Sequence, residues 1–182
     1  MNVPMPHLAR IAVDVCRLRR GPQDLPYSPH LLLTLIVVST GLDLLAGTAQ
    51  GDSASSALGR SLLSNVSVLG LCWVALAIRH LHARYVQTAT ALVACSLLFS
   101  LIQTSLTLLA GPLPDAHTPL TGLQGLISWI ALTLFVWEIG VDVHIMRHAM
   151  ESSFVFALLL VISWVVVYWT LASALLPQPA HP

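Results

Sequence analysis

The sequence predicts an all-α fold, a polytopic membrane helical bundle of about five transmembrane helices with a short N-terminal amphipathic helix. Three observations predict it. The chain is 56% hydrophobic and only 9% charged, whereas a soluble domain carries about 25% charged residues, so it lacks the charges to cover a water-facing surface. Its apolar residues fall in five blocks of at least 21 residues, each able to cross a hydrocarbon core about 30 Å thick at about 1.5 Å per residue. The basic residues gather in alternate connecting segments, as a fixed threading through a bilayer requires.

Residues 1–28 read as an N-terminal cytosolic segment. Within it, Leu8, Ile11, Ala12, Val15 and Leu18 recur at helical steps over residues 5–20, with Arg10, Asp14 and Arg17 on another face. Gly21-Pro22 reads as the stop. Such a helix either lies in the headgroup layer or packs on the bundle. The segment contains prolines, four arginines and two aspartates but no continuous apolar core, so it reads as an uncleaved lead-in and not as an export leader.

The membrane domain is expected over residues 29–176. Ser28-Pro29 opens the first span (29–49) with an N-cap and a proline at the first helical position. Residues 50–56 (QGDSASS) read as a polar loop before a second span, 57–78, and Arg79 to Arg84 as a tight basic turn before a third, 85–110. Gly111-Pro112-Leu113-Pro114 stops that span, and Thr118-Pro119 repeats the cap-and-proline device before a fourth, 120–141. Asp142 to Ser153 read as a polar hinge, residues 154–176 as the fifth span, and 177–182 as a short external tail. With the N-terminus inside, seven arginines (Arg10, Arg17, Arg19, Arg20, Arg79, Arg84, Arg147) lie on the inner side and only Arg60 outside, in agreement with the positive-inside rule. Tyr168 and Trp169 near the outer end of the fifth span fit an interfacial aromatic belt.

Asp43 is the carboxylate of the first span, sharing a helix face with Ser39 and Gly47. An ionisable group inside a membrane costs at least about 2.5–3.5 kcal/mol, so it should face protein or water. It reads either as a proton or ion site or as a packing residue, paired with Arg60 or hydrated. Glu138 and Asp142 are one turn apart near the inner end of the fourth span, and His144 and His148 follow at the same spacing. With His80 and His82 from the preceding inner turn they could form a metal or pH-sensitive site. The His pair lacks the glutamate of an HExxH metalloprotease, however, and polar residues gather at helix ends because water is there. Ser96, Ser100, Gln103 and Thr107 form a stripe along the third span, which reads as interhelical hydrogen bonding or as a solute pathway. Gly122, Gly125 and Trp129 read as a close-approach face.

Cys16, Cys72 and Cys95 are scattered and free of CxxC spacing, so neither a disulfide framework nor a zinc site is expected. No nucleophile elbow, Walker loop or dinucleotide fingerprint occurs and lysine is absent, so the chain does not read as an enzyme and no cofactor or metal is expected. The basic face is too small for nucleic acid. The expected partners are the lipid bilayer and other membrane proteins or a second copy.

The stretch LRRGPQDLPYSPHL, Leu18 to Leu31, followed by five tightly connected spans, resembles the bacterial Yip1-domain-like membrane proteins. A DLYGP-type motif is absent. The resemblance implies a five-helix fold in a bacterial inner membrane and transfers no catalytic residue; an all-arginine basic complement fits a GC-rich bacterial genome. The expected role is a non-enzymatic structural or assembly factor. The alternative is a small transporter subunit or an ion- or proton-conducting protein using Asp43 and Glu138, whose expected depths in the bilayer differ.

Overall fold

The computed structural model describes residues 5–111 and 121–176. Six helices follow one another: α1 (Met5–Cys16), α2 (Pro29–Ala49), α3 (Ala54–Ile78), α4 (Tyr85–Ala110), α5 (Gly122–Met150) and α6 (Phe154–Leu175). The last five are long and apolar enough to cross a bilayer, so the chain is an all-α, multi-pass membrane protein. The expected 112–120 turn, with its Thr118-Pro119 cap, and the 177–182 tail lie outside the described residues.

Helix starts follow the hydroxyl caps. Ser28, Ser53, Thr121 and Ser153 each accept a hydrogen bond from a backbone N–H in the first turn of α2, α3, α5 and α6 respectively. The Ser53 cap makes α3 begin at Ala54 and not at 57. The larger correction concerns α5, which runs on through Asp142, His144, Arg147 and His148 to Met150 where a hinge was expected from Asp142. No Gly or Pro interrupts this stretch. Its polar residues mark emergence into water, which is a different event from the end of a helix.

Three helix ends are closed by a left-handed residue that is not glycine. Leu18, His80 and Glu151 have φ of 60°, 57° and 50°. In each case the next residue's N–H reaches back to the helix: Arg19 to Asp14 O, Leu81 to Leu76 O and Ser152 to Arg147 O. These are Schellman closures, and the first ends α1 at Cys16 although the amphipathic pattern runs to residue 20.

The strongest helix pairs trace a ring, α2–α3–α6–α5–α4 and back to α2. Lateral faces are apolar and exposed, as at Val37, Val66, Trp129 and Leu159, and these are the surfaces lipid would cover. The expected close approach at Gly122, Gly125 and Trp129 is not there. A Cβ on either glycine would meet nothing within 4 Å, and Trp129 is exposed. The close approach is at Gly47, where a Cβ would lie 2.7 Å from the Cβ of Ala57.

At the arginine-rich end the ring is sealed. Leu76, Thr88, Met146 and Met150 are fully buried there. The terminal carbonyls of α5 are capped by Arg79, to Met150 O, and by Arg84, to Ala149 O, while Arg84 also pairs with Glu151. Of the two placements open to α1, the structure has it packed on the bundle, in the groove between α4 and α5, with Ile11 and Val15 inside the core. Trp137 donates to Cys16 O, the Nε2–H of His144 to Arg20 O, and Gln87 to Leu25 O. Cys95 lies beneath α1, its thiol directed at Ala12 O.

Two measurements test these ends. In Val15→Asp, an unpaired carboxylate in the α1 groove should undock the helix, so that Cys95 becomes reactive to N-ethylmaleimide while buried Cys72 stays protected. Protection of Cys95 in that variant would refute the docking. His80→Gly should raise the thermal midpoint in detergent, because a left-handed non-glycine residue costs about 1–2 kcal/mol; an unchanged or lower midpoint would contradict the closure described.

Candidate functional site

The ring encloses a cavity of about 320 Å³ to which all five spans contribute. Three carboxylates border it: Asp43 from α2, and Glu138 and Asp142 from α5. The last two are one helical turn apart, which places their Cβ atoms about 5–6 Å from one another. The extension of α5 is what brings Glu138 to the level of Asp43. Measured from Met150, Glu138 lies about 18 Å inside the helix, against about 21 Å for Asp43 from Pro29. Counting from residue 141 gave the false impression of different depths.

Each carboxylate is held differently. Ser61 of α3 donates to Asp43 Oδ2 at 2.7 Å and Ser100 of α4 to Oδ1 at 3.1 Å. Arg60, considered as a partner for Asp43, pairs with Asp52 instead. Gln103 reaches Glu138 Oε2 from 3.5 Å, and Ser96 faces the same carboxylate. Asp142 accepts no hydrogen bond among the described residues; it neighbours Glu138 and, across the α1 groove, Cys16.

The rest of the lining is largely aromatic and aliphatic. Trp164, Tyr168 and Trp169 of α6 and Phe135 of α5 border the cavity, with Ser64 and Asn65 of α3 beside them. Asn65 bridges to Thr40 and to Ser61 O, which fixes the α2–α3 pair next to Asp43. Two further cavities adjoin this one at the end away from the arginines. One, of about 460 Å³, shares Asp43, Ser64 and Tyr168 and reaches Asp52 and Arg60; the other, of about 360 Å³, shares Ser100, Gln103 and Glu138 and reaches Thr107. The polar space is therefore open toward the α2–α3 turn and closed toward the arginine-rich end.

The structure thus brings together Asp43, Gln103, Glu138 and Asp142, the last of which the sequence had grouped with the inner-face histidines. His144 turns outward to Arg20 O, and the Nδ1–H of His148 donates to His144 O. His82 stacks obliquely near Trp73 on the α3–α4 turn and His80 occupies its left-handed closure. Among the described residues no group of three or more His, Cys, Asp or Glu side chains is placed to hold a metal ion. Sequence reasoning passed over Ser61, Ser64 and Asn65, a polar stripe at steps of three and one on α3. It also passed over Trp164 as a partner of Tyr168 one turn on. Matching the α3 stripe to the Ser96–Thr107 stripe on α4 would have signalled two polar faces turned toward one interior.

Comparison of the chain with protein families, curated proteins and solved structures returns no match.

Removing the two hydroxyl donors tests the Asp43 geometry. Ser61→Ala with Ser100→Ala should lower stability in detergent by about 1–3 kcal/mol, since hydrogen bonds inside membrane proteins average about 0.6 kcal/mol with a maximum near 1.7 and the ionised acceptor is left bare. Adding Asp43→Asn should recover part of the loss. If the triple variant is no more stable than the double, the charge is not what those hydroxyls hold.

Proposed function

We propose that this chain is a small carrier that binds a cationic solute from the outer side of a bacterial inner membrane and exchanges it against protons. The observation that carries this reading is the cavity wall: three carboxylates from two spans face one interior space, and no Arg, Lys or His among the described residues borders it. A charge enclosed by a helical bundle marks a solute or proton pathway more often than a packing device. The Arg distribution supports a cytoplasmic N-terminus, and on that threading the cavity opens to the periplasmic side. The layout that resembles Yip1-domain-like proteins supports the compartment alone. In this reading the chain is not an enzyme. Glu138 and Asp142 hold either the cation or protons, so loading one releases the other, while Asp43 holds the neighbouring spans and the hydroxyl stripes keep the pathway wetted.

The separate depths expected for Asp43 and Glu138 counted against the transport alternative, and their shared cavity is what favours the carrier over an assembly factor. Proteoliposomes loaded with a pH-sensitive dye decide between them. Sodium, potassium or a quaternary ammonium salt is added outside, one at a time. One of the three should alkalinise the interior above the protein-free rate, and Glu138→Gln or Asp142→Asn should abolish the response at equal incorporation. No proton movement with any of them would overturn the carrier reading.

A further inference from the structure

We infer that the cation is a small organic ammonium, its charged nitrogen set between Glu138 and Asp142 and its apolar body against Trp164 and Tyr168. This rests on the carrier reading for its transport role but on the cavity alone for binding. The acceptors left to a guest are few. Both oxygens of Asp43 already accept hydrogen bonds, so Asp43 is committed to holding α3 and α4. Glu138 has only the distant Gln103 amide and the Ser96 hydroxyl beside it. Asp142 is partly buried near Cys16 of α1, borders the cavity, and accepts no hydrogen bond among the described residues. Its oxygens are free to meet a guest in the cavity.

The cavity does not suit a divalent metal ion held by protein side chains. Calcium takes six to eight oxygens at about 2.3–2.6 Å, and no group of three or more His, Cys, Asp or Glu side chains among the described residues is placed to hold a metal ion. The free space, about 320 Å³, lies instead within the range of sites for small organic molecules, about 300–1,000 Å³. Its lining combines carboxylates on α5 with aromatic side chains on α6. A bare metal ion uses only the first, whereas an ammonium with attached carbon uses both, by charge pairing and by attraction to the faces of Trp and Tyr rings. A primary metabolite bearing a phosphate or carboxylate would meet like charge with no basic group to offset it.

Benzyltrimethylammonium is a suitable probe, because it combines a quaternary nitrogen with one ring and fits the space. Calorimetric titration of the detergent-purified full chain should give saturable binding. Glu138→Gln and Asp142→Asn should each weaken it at least tenfold, and Tyr168→Leu severalfold. Asp142→Glu, which keeps the charge, should retain binding within a few-fold and so separates lost recognition from lost folding. Benzyl alcohol, neutral and of related shape, should not bind. Absence of saturable binding, binding that Asp142→Asn leaves unchanged, or displacement of the probe by equimolar sodium would each overturn the inference. Proton exchange driven by sodium alone would leave the carrier reading standing and remove this one. Binding without any proton exchange would do the reverse.

Discussion

The Asp43 carboxylate, with one oxygen held by Ser61 of α3 and the other by Ser100 of α4, is the interaction on which the arrangement of spans depends. In lipid the apolar faces of helices have no preference for one another over acyl chains, so association relies on close packing and on interhelical hydrogen bonds. Asp43 supplies the second and Gly47, one turn on, the first: its missing side chain lets α3 approach at Ala57. Those two residues of α2 fix its neighbours on both sides. With α2 held between α3 and α4, α5 closes against α4 and α6 against α3, and a space is left inside that side chains only partly fill.

The two ends of that space are built from different chemistry. At the arginine-rich end, guanidinium groups cap helix carbonyls and large aliphatic side chains fill the interior. The N-terminal helix adds a further wall there, its Cys16 close to Asp142 and Cys95. At the other end the interior is lined by hydroxyls, amides and the Asp52–Arg60 pair, which water can solvate. A polar route therefore runs in from one side and stops at a carboxylate, with the seal contributed in part by a segment that is not one of the ring helices.

Much of the fold was legible in the sequence because a bilayer imposes a length and a polarity on every span. The α2 limits were readable from Ser28-Pro29 at one end and from the polar loop at the other. The length of α5 was not, since Asp142, His144 and His148 report contact with water or with a cavity and say nothing about whether the backbone hydrogen bonds continue. The left-handed closures at Leu18, His80 and Glu151 were hidden because the usual glycine is missing. The amphipathic face of residues 8–15 was readable, but a stripe specifies that something is buried and not which groove buries it. The site suffered from the same gap. Asp43, Gln103 and Glu138 were each recognisable as costly in a membrane, yet their meeting depends on the register of α5 against α2, which a nine-residue error in one helix end was enough to obscure.

Asp43 and Asp142 also separate two explanations for charge in a membrane. Asp43 is fully accounted for as glue, with two hydroxyl donors and a bridging position. Asp142 is not. It borders the cavity, has the Glu138 carboxylate one turn away and accepts no hydrogen bond among the described residues. A group of that kind costs several kcal/mol when left unpaired, and a bundle selected only for assembly would be more stable with leucine in its place. The buried side-chain atoms without a partner among the described residues are the hydroxyls of Ser67 and Ser152, whereas Asp142 is only partly buried and its carboxylate borders a space that can hold a guest. The cavity wall around Asp142 offers no basic side chain, and in the carrier reading its complement is a proton or an ammonium group from outside the chain.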